Sequence, residues 1–106
     1  MQLEIHYNGL SVSEELEQVI RQKAEKVEER LKRYHPDVAE LEVRLDELGR
    51  AGEHECGLKL TAFKDVLTAK KNHPELRVAV DRAFEALMKE LDTYRSKINK
   101  SLSSGA

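Results

Sequence analysis

Apolar and polar residues alternate at the start of the chain. Leu3, Ile5 and Tyr7 fall on one side, and Gln2, Glu4, His6 and Asn8 on the other. That period of two predicts a half-buried strand over residues 2–8, and Asn8-Gly9 breaks it. The period then lengthens. Leu16, Val19, Ile20, Ala24, Val27, Leu31 and Tyr34 recur at helical spacing, which predicts a helix over about 14–34. Ser13 is its N-cap, and Glu14, Glu15 and Glu17 sit where carboxylates favour the positive end of the helix dipole. Pro36 stops it.

Alternation returns over residues 38–48, with Ala39, Leu41, Val43 and Leu45 set against Glu40, Glu42, Arg44 and Asp46. Gly49 to Gly52 is a loop. A third strand covers 53–63, with Cys56, Leu58, Leu60 and Ala62 inward. Lys64-Asp65 is the expected turn, and a short fourth strand covers about 66–71. Asn72-His73-Pro74 is expected to open the second helix, since proline suits a first turn. Its buried stripe is Leu76, Val80, Ala83, Phe84, Leu87, Leu91, Tyr94 and Ile98. Tyr7 and Tyr34 are expected in the core, as is Tyr94. Phe63 is expected on the solvent side of the third strand, at a distorted end.

The reading is an α+β fold, β-α-β-β-β-α, with a four-stranded sheet and two helices packed on one face. Each strand has one apolar and one polar side, so the other face meets water. The first two strands are joined through a helix and should be parallel with a right-handed crossover. The last three form an antiparallel meander. The 106 residues fit one domain over 1–100 with a flexible tail over 101–106.

Charge adds the functional signal. Charged residues make up 36% of the chain, yet the net charge is only −2. A local field depends on distribution, not on the sum. On the first helix Lys23, Lys26, Arg30 and Arg33 share one side, with Glu15 the only acid. Glu14, Glu17, Glu25, Glu28 and Glu29 share the other, with Arg21 and Lys32 among them. The second helix is split less cleanly: Arg82, Lys89 and Lys100 fall on one line with Lys97 nearby and Glu75 and Glu90 intruding, and Asp81, Glu85 and Asp92 fall on another. The basic lines, if they face each other across the groove between the helices, form a positive trough fit for RNA phosphates. Ordinary solvated faces give a plainer reading, and Glu28 with Lys32 and Glu29 with Arg33 are i,i+4 pairs of the kind such faces carry. Glu25 with Glu29 and Lys26 with Arg30 are like-charge pairs, which a merely stabilising surface avoids.

Catalytic and metal chemistry find little support. His54 and Cys56 share a strand face, but two ligands are too few for zinc, and Cys56 reads as a small core residue. His35 and His73 precede prolines at helix ends, a loop or cap role. No phosphate-binding glycine loop or nucleophile grouping occurs, so no enzyme activity, cofactor or small-molecule substrate is expected. Met1 to Tyr7 lacks the form of a signal peptide and no apolar run is long enough to span a membrane. With one cysteine, a reducing cytoplasmic setting is expected.

The pattern also resembles a known family. The N-terminal Met-Gln-Leu-Glu-Ile, the run Ser13-Glu14-Glu15-Leu16 through Lys23-Ala24-Glu25-Lys26-Val27-Glu28, and Val78-Ala79-Val80-Asp81 with Phe84, Leu87 and Leu91 together are similar to the ribosome hibernation-promoting and ribosome-associated inhibitor family. The resemblance spans about residues 1–100. It implies binding in the tRNA and mRNA channel of the small ribosomal subunit and translation repression in stress or stationary phase. It also implies contact with rRNA and ribosomal protein through basic residues matching Lys23, Lys26, Lys89 and Lys97. Arg30, Arg33, Arg82 and Lys100 join that set on charge pattern alone. This chain departs from the family at Ala86, where a lysine is usual, at Glu90, where a glutamine is usual, and over Lys71 to Arg77. A short-type factor, monomeric off the ribosome, is expected. The alternative is a protein-binding module using Glu40, Glu42, Arg44, Lys59 and Thr61 on the open sheet face.

Overall fold

A computed structural model of the protein describes residues 1–33, 39–49, 52–62 and 65–104, with side chains over the same ranges except 95 and 97–104. The elements follow the expected order: β1 (Gln2–Asn8), α1 (Glu14–Lys32), β2 (Ala39–Glu47), β3 (His54–Ala62), β4 (Asp65–His73) and α2 (Leu76–Ser104). They form one sheet in the order β1-β2-β3-β4. β1 runs parallel to β2, with Leu3 opposite Leu41 and Ile5 opposite Val43. β2–β3 and β3–β4 are antiparallel, with Leu41 opposite Leu60 and Leu60 opposite Leu67.

Register puts all inward residues on one face, because strand side chains alternate. Leu41, Val43 and Leu45 join Cys56, Leu58 and Leu60 there, and Ile20, Ala24, Val27 and Leu31 of α1 and Val80, Ala83, Phe84, Leu87 and Leu91 of α2 close over them. Both helices thus cover one face. The opposite face is polar, with Glu4, Glu42, Lys59 and Thr68 in one row across the sheet.

Local chemistry sets the element ends. Ser13 adopts an extended conformation and its hydroxyl accepts from the Leu16 N–H at 3.2 Å, the N-cap expected. Gly9 turns the chain out of β1 at φ 75°, and Gly52 stands at φ 68° in the β2–β3 loop, conformations natural to glycine.

Several expectations are corrected. β4 does not stop near residue 71. It pairs along the whole of β3, to His73 opposite His54, because its polar end still satisfies the backbone ladder. Asp65 is therefore a strand residue, and Asn72 and His73 belong to β4. Pro74 precedes α2, whose first turn begins with Val78 and Ala79 donating to the Glu75 carbonyl at 3.1 Å each. His73 acts as a cap here: its Nδ1 accepts the Glu75 N–H at 2.9 Å, while His54 Nδ1 donates to the Pro74 carbonyl at 2.9 Å.

Tyr7 is 39% exposed instead of buried, since it sits at the end of an edge strand that the first turn of α1 leaves half-covered. Partial burial first, then the Glu17 charge, push its hydroxyl pKa up, and Arg21 opposes this. Tyr94 is half-buried instead of core, and its hydroxyl donates to Asp65 Oδ2 at 2.5 Å. α1 ends at Lys32, with Arg33 as its cap. α2 continues to Ser104, four residues past Lys100. The expectations for Tyr34, His35, Pro36, Phe63 and Lys64 fall outside the described residues, as does that for the Ile98 side chain.

Candidate nucleic-acid interface

Each helix is phased by its buried stripe. On α1, Ile20, Ala24, Val27 and Leu31 face the sheet. At about 100° per residue, Lys23 and Arg30 then fall roughly a quarter-turn from the stripe, while Lys26 and Arg33 point further out. On α2, the stripe of Val80, Phe84, Leu87 and Leu91 puts Asp81 and Asp92 about a quarter-turn away, Glu85 further out on the same side, and Arg82 and Lys89 roughly opposite the sheet.

This phasing decides which charges meet. Lys23 Nζ lies 3.0 Å from Asp81 Oδ1, and Arg30 Nη1 pairs with Asp92 Oδ1. Asp81 also accepts from Arg77 Nε at 3.2 Å, one turn earlier on α2. Desolvation alone would raise the Asp81 pKa. The hydrogen bonds and charges of Lys23 and Arg77 outweigh it and hold the carboxyl below its ordinary value. The expected facing of two basic lines is thus corrected. α2 turns its acidic line to α1, because Asp81, Glu85 and Asp92 flank its buried stripe on that side and Arg82 and Lys89 do not.

The groove between the helices has a volume of about 260 Å³ and is lined by Lys23, Lys26, Asp81, Phe84, Glu85 and Met88. Its ion pairs lie between two exposed basic rims. Lys26 and Arg33 stand on the α1 rim. On the α2 rim, Arg82 is exposed and Lys89 lies 3.8 Å from Glu85. Among the described residues Lys26, Arg33 and Arg82 make no ion pair. Lys97 and Lys100 continue α2, with side chains outside the described residues. Ala86 is half-buried and Glu90 exposed on the same helix. The acidic side of α1 turns to the β1 edge, where Glu28 lies 3.2 Å from the N-terminal amine and 3.9 Å from Lys32. The other i,i+4 pair expected on α1, Glu29 with Arg33, is absent among the described residues.

The sequence separated the acids and bases of α2 into lines but missed Asp81 and Asp92 as partners of α1. The signal was present: both acids border the apolar stripe, so they border whatever packs beside it.

The open sheet face offers a different chemistry. A shallow depression of about 80 Å³ is lined by Gln2, Glu4, Glu40, Leu41, Glu42, Lys59 and Thr61. Glu42 lies 3.6 Å from Arg44 Nε and 3.7 Å from His6 Nε2. No group of three or more potential ligands that could hold a metal occurs among the described residues. Cys56 is fully buried, and desolvation first, then the Glu55 charge, push its thiol up to about 12. Among the described residues no helix is long and apolar enough to cross a membrane.

Residues 3–99 match the family described as sigma 54 modulation protein / S30EA ribosomal protein. No curated protein matches the sequence. Among solved structures, the chain is similar to a ribosomal subunit interface protein from Coxiella burnetii, with 12% identity, a TM-score of 0.76 and coverage of 91% of this chain and 99% of that one. It is also similar to the N-terminal domain of Thermus thermophilus Protein Y, with 20% identity, a TM-score of 0.65 and coverage of 89% and 99%. At these identities the likeness is one of fold.

Proposed function

The chain belongs to the sigma 54 modulation protein / S30EA ribosomal protein family, and from that premise we propose that it binds the small ribosomal subunit through its helical face. The observation that carries this reading is the pair of basic rims, with Lys26, Arg33 and Arg82 exposed and without ion pairs among the described residues. Lys89 belongs to the α2 rim, Lys97 and Lys100 follow it in the sequence of the same helix, and Lys23 and Arg30 supply the cations between the rims. The similar proteins named for the ribosomal subunit interface and as Protein Y support the ribosome as partner.

The mechanism is occupancy. Unpaired lysine and arginine side chains displace counterions from rRNA phosphates, and binding draws on that release. A domain seated in the tRNA and mRNA channel excludes both ligands sterically, so translation is repressed without a catalytic step. The protein acts as a cytoplasmic monomer until bound, in stress or stationary phase.

Binding to purified small subunits, followed by sedimentation across a salt series, tests this. The four exposed rim cations with described side chains, Lys26, Arg33, Arg82 and Lys89, each worth about 0.7 to 0.9 in the slope of log affinity against log salt, give a slope near −3. Binding with a slope near zero contradicts the reading. It would favour the open sheet face, where Glu40, Glu42, Arg44, Lys59 and Thr61 surround the depression described above.

A further inference from the structure

The groove places two acids where a nucleic-acid surface has most use for bare cations. Asp81 and Asp92 each take a cation of α1, across 58 and 62 positions of sequence (81 − 23 and 92 − 30). In both pairs the carboxylate is the more exposed partner. Lys23 is 27% exposed against 42% for Asp81, and Arg30 is 32% against 52% for Asp92. Each cation nevertheless keeps that part of its surface open to solvent, enough for a second anion to approach beside the acid that holds it. Carboxylate and phosphate oxygens present the same charge-assisted acceptor to ammonium and guanidinium groups. Nor do the helices depend on these pairs for their packing. Phe84, Leu87 and Leu91 already bury α2 against the sheet.

We propose that Asp81 and Asp92 are built-in competitors of RNA phosphate: they hold Lys23 and Arg30 in the unbound protein and release them to the rRNA backbone on binding. This rests on the helical-face reading above and adds its regulation. Each exchanged contact breaks one ion pair to form another, so its net gain is small. The two acids thereby lower affinity for any polyanion and leave the unpaired rims to make the first contact. The other charges around the exchange are Arg77, which shares Asp81, and Lys26 and Glu85, which line the groove. When phosphate takes Lys23, Arg77 remains to satisfy Asp81.

Affinity for purified small subunits is measured across a salt series for the parent, for Asp81→Asn with Asp92→Asn, and for Glu14→Gln with Glu29→Gln. The last variant changes net charge equally on the acidic side of α1. The aspartate variant should bind about tenfold tighter near 0.1 M salt, because its phosphate contacts at Lys23 and Arg30 form without first breaking an ion pair. The glutamate control should stay within about twofold of the parent. Arg30→Gln should matter little in the parent yet weaken binding about threefold or more in the Asp92→Asn background. A urea unfolding curve on each variant verifies that it is folded. If the aspartate variant binds no tighter than the glutamate control, or more weakly than the parent, the competitor role is overturned while small-subunit binding stands. If the parent does not bind, both fall together.

Discussion

Replacing Leu87 with alanine separates the forces that hold the candidate interface together. Leu87 is fully buried, on the stripe that docks α2 over the sheet. Truncation removes the transfer free energy of the side chain and leaves a cavity among close-packed neighbours, a loss of about 2 to 5 kcal/mol. The inter-helix ion pairs are weaker. Arg30 and Asp92 are 32% and 52% exposed, and pairs so open to water contribute about 0.2 to 1 kcal/mol, less at high salt. Urea denaturation followed by far-ultraviolet circular dichroism measures both. Leu87→Ala should move the midpoint several times further than Asp92→Asn, with unchanged slope. For a domain whose whole stability is on the order of 5 to 15 kcal/mol, the leucine change alone threatens folding. If Asp92→Asn proves as damaging as Leu87→Ala, the groove acid is a structural clamp, and the account of α2 as held by apolar packing is wrong.

Two further predictions follow from the perturbed groups. The Cys56 thiol, buried and pushed up to about 12, should resist a thiol-specific disulfide reagent near pH 8, where on the order of one thiol in 10,000 is ionised, and react fully in urea; rapid labelling of the native protein would contradict its burial. The Asp81 carboxyl is held below its ordinary value of 3.8 by Lys23 and Arg77 against desolvation, so its contribution to stability is present above that value and fades as pH falls through the depressed one. The urea midpoint of the parent should exceed that of Asp81→Asn at about pH 6 by a small, solvent-screened margin that disappears near pH 2; an equal margin at both would contradict the pairing.

The fold was legible because one sheet face is bare. Glu40, Glu42, Arg44 and Asp46 alternate with Ala39, Leu41, Val43 and Leu45, and that alternation marks both the strand and the side the helices cover. The fourth strand runs past the expected residue 71 because Asn72 and His73 are polar and stand before Pro74, which makes them look like the opening of the second helix. An edge strand needs no second apolar side to complete its ladder, so periodicity has nothing to report there. Tyr7 was misplaced for a related reason: alternation assigns its side of the sheet but not whether α1 reaches far enough to cover it. The candidate site was half legible. The two-sided charge of α1 follows from residue spacing, and its basic side does face α2. Which line of α2 faces back depends on the angle between that line and the buried stripe, and there Asp81 and Asp92 have the position that Arg82 and Lys89 were expected to share.

The central claim is that the helical face, not the sheet face, meets the ribosome. Co-sedimentation with small subunits, comparing Lys26→Glu with Arg82→Glu against Arg44→Glu with Lys59→Glu, tests it at equal change of charge. The account predicts that the helix variant leaves the ribosomal fraction at salt where the parent and the sheet variant stay in it. Release of the sheet variant with retention of the helix variant would contradict it.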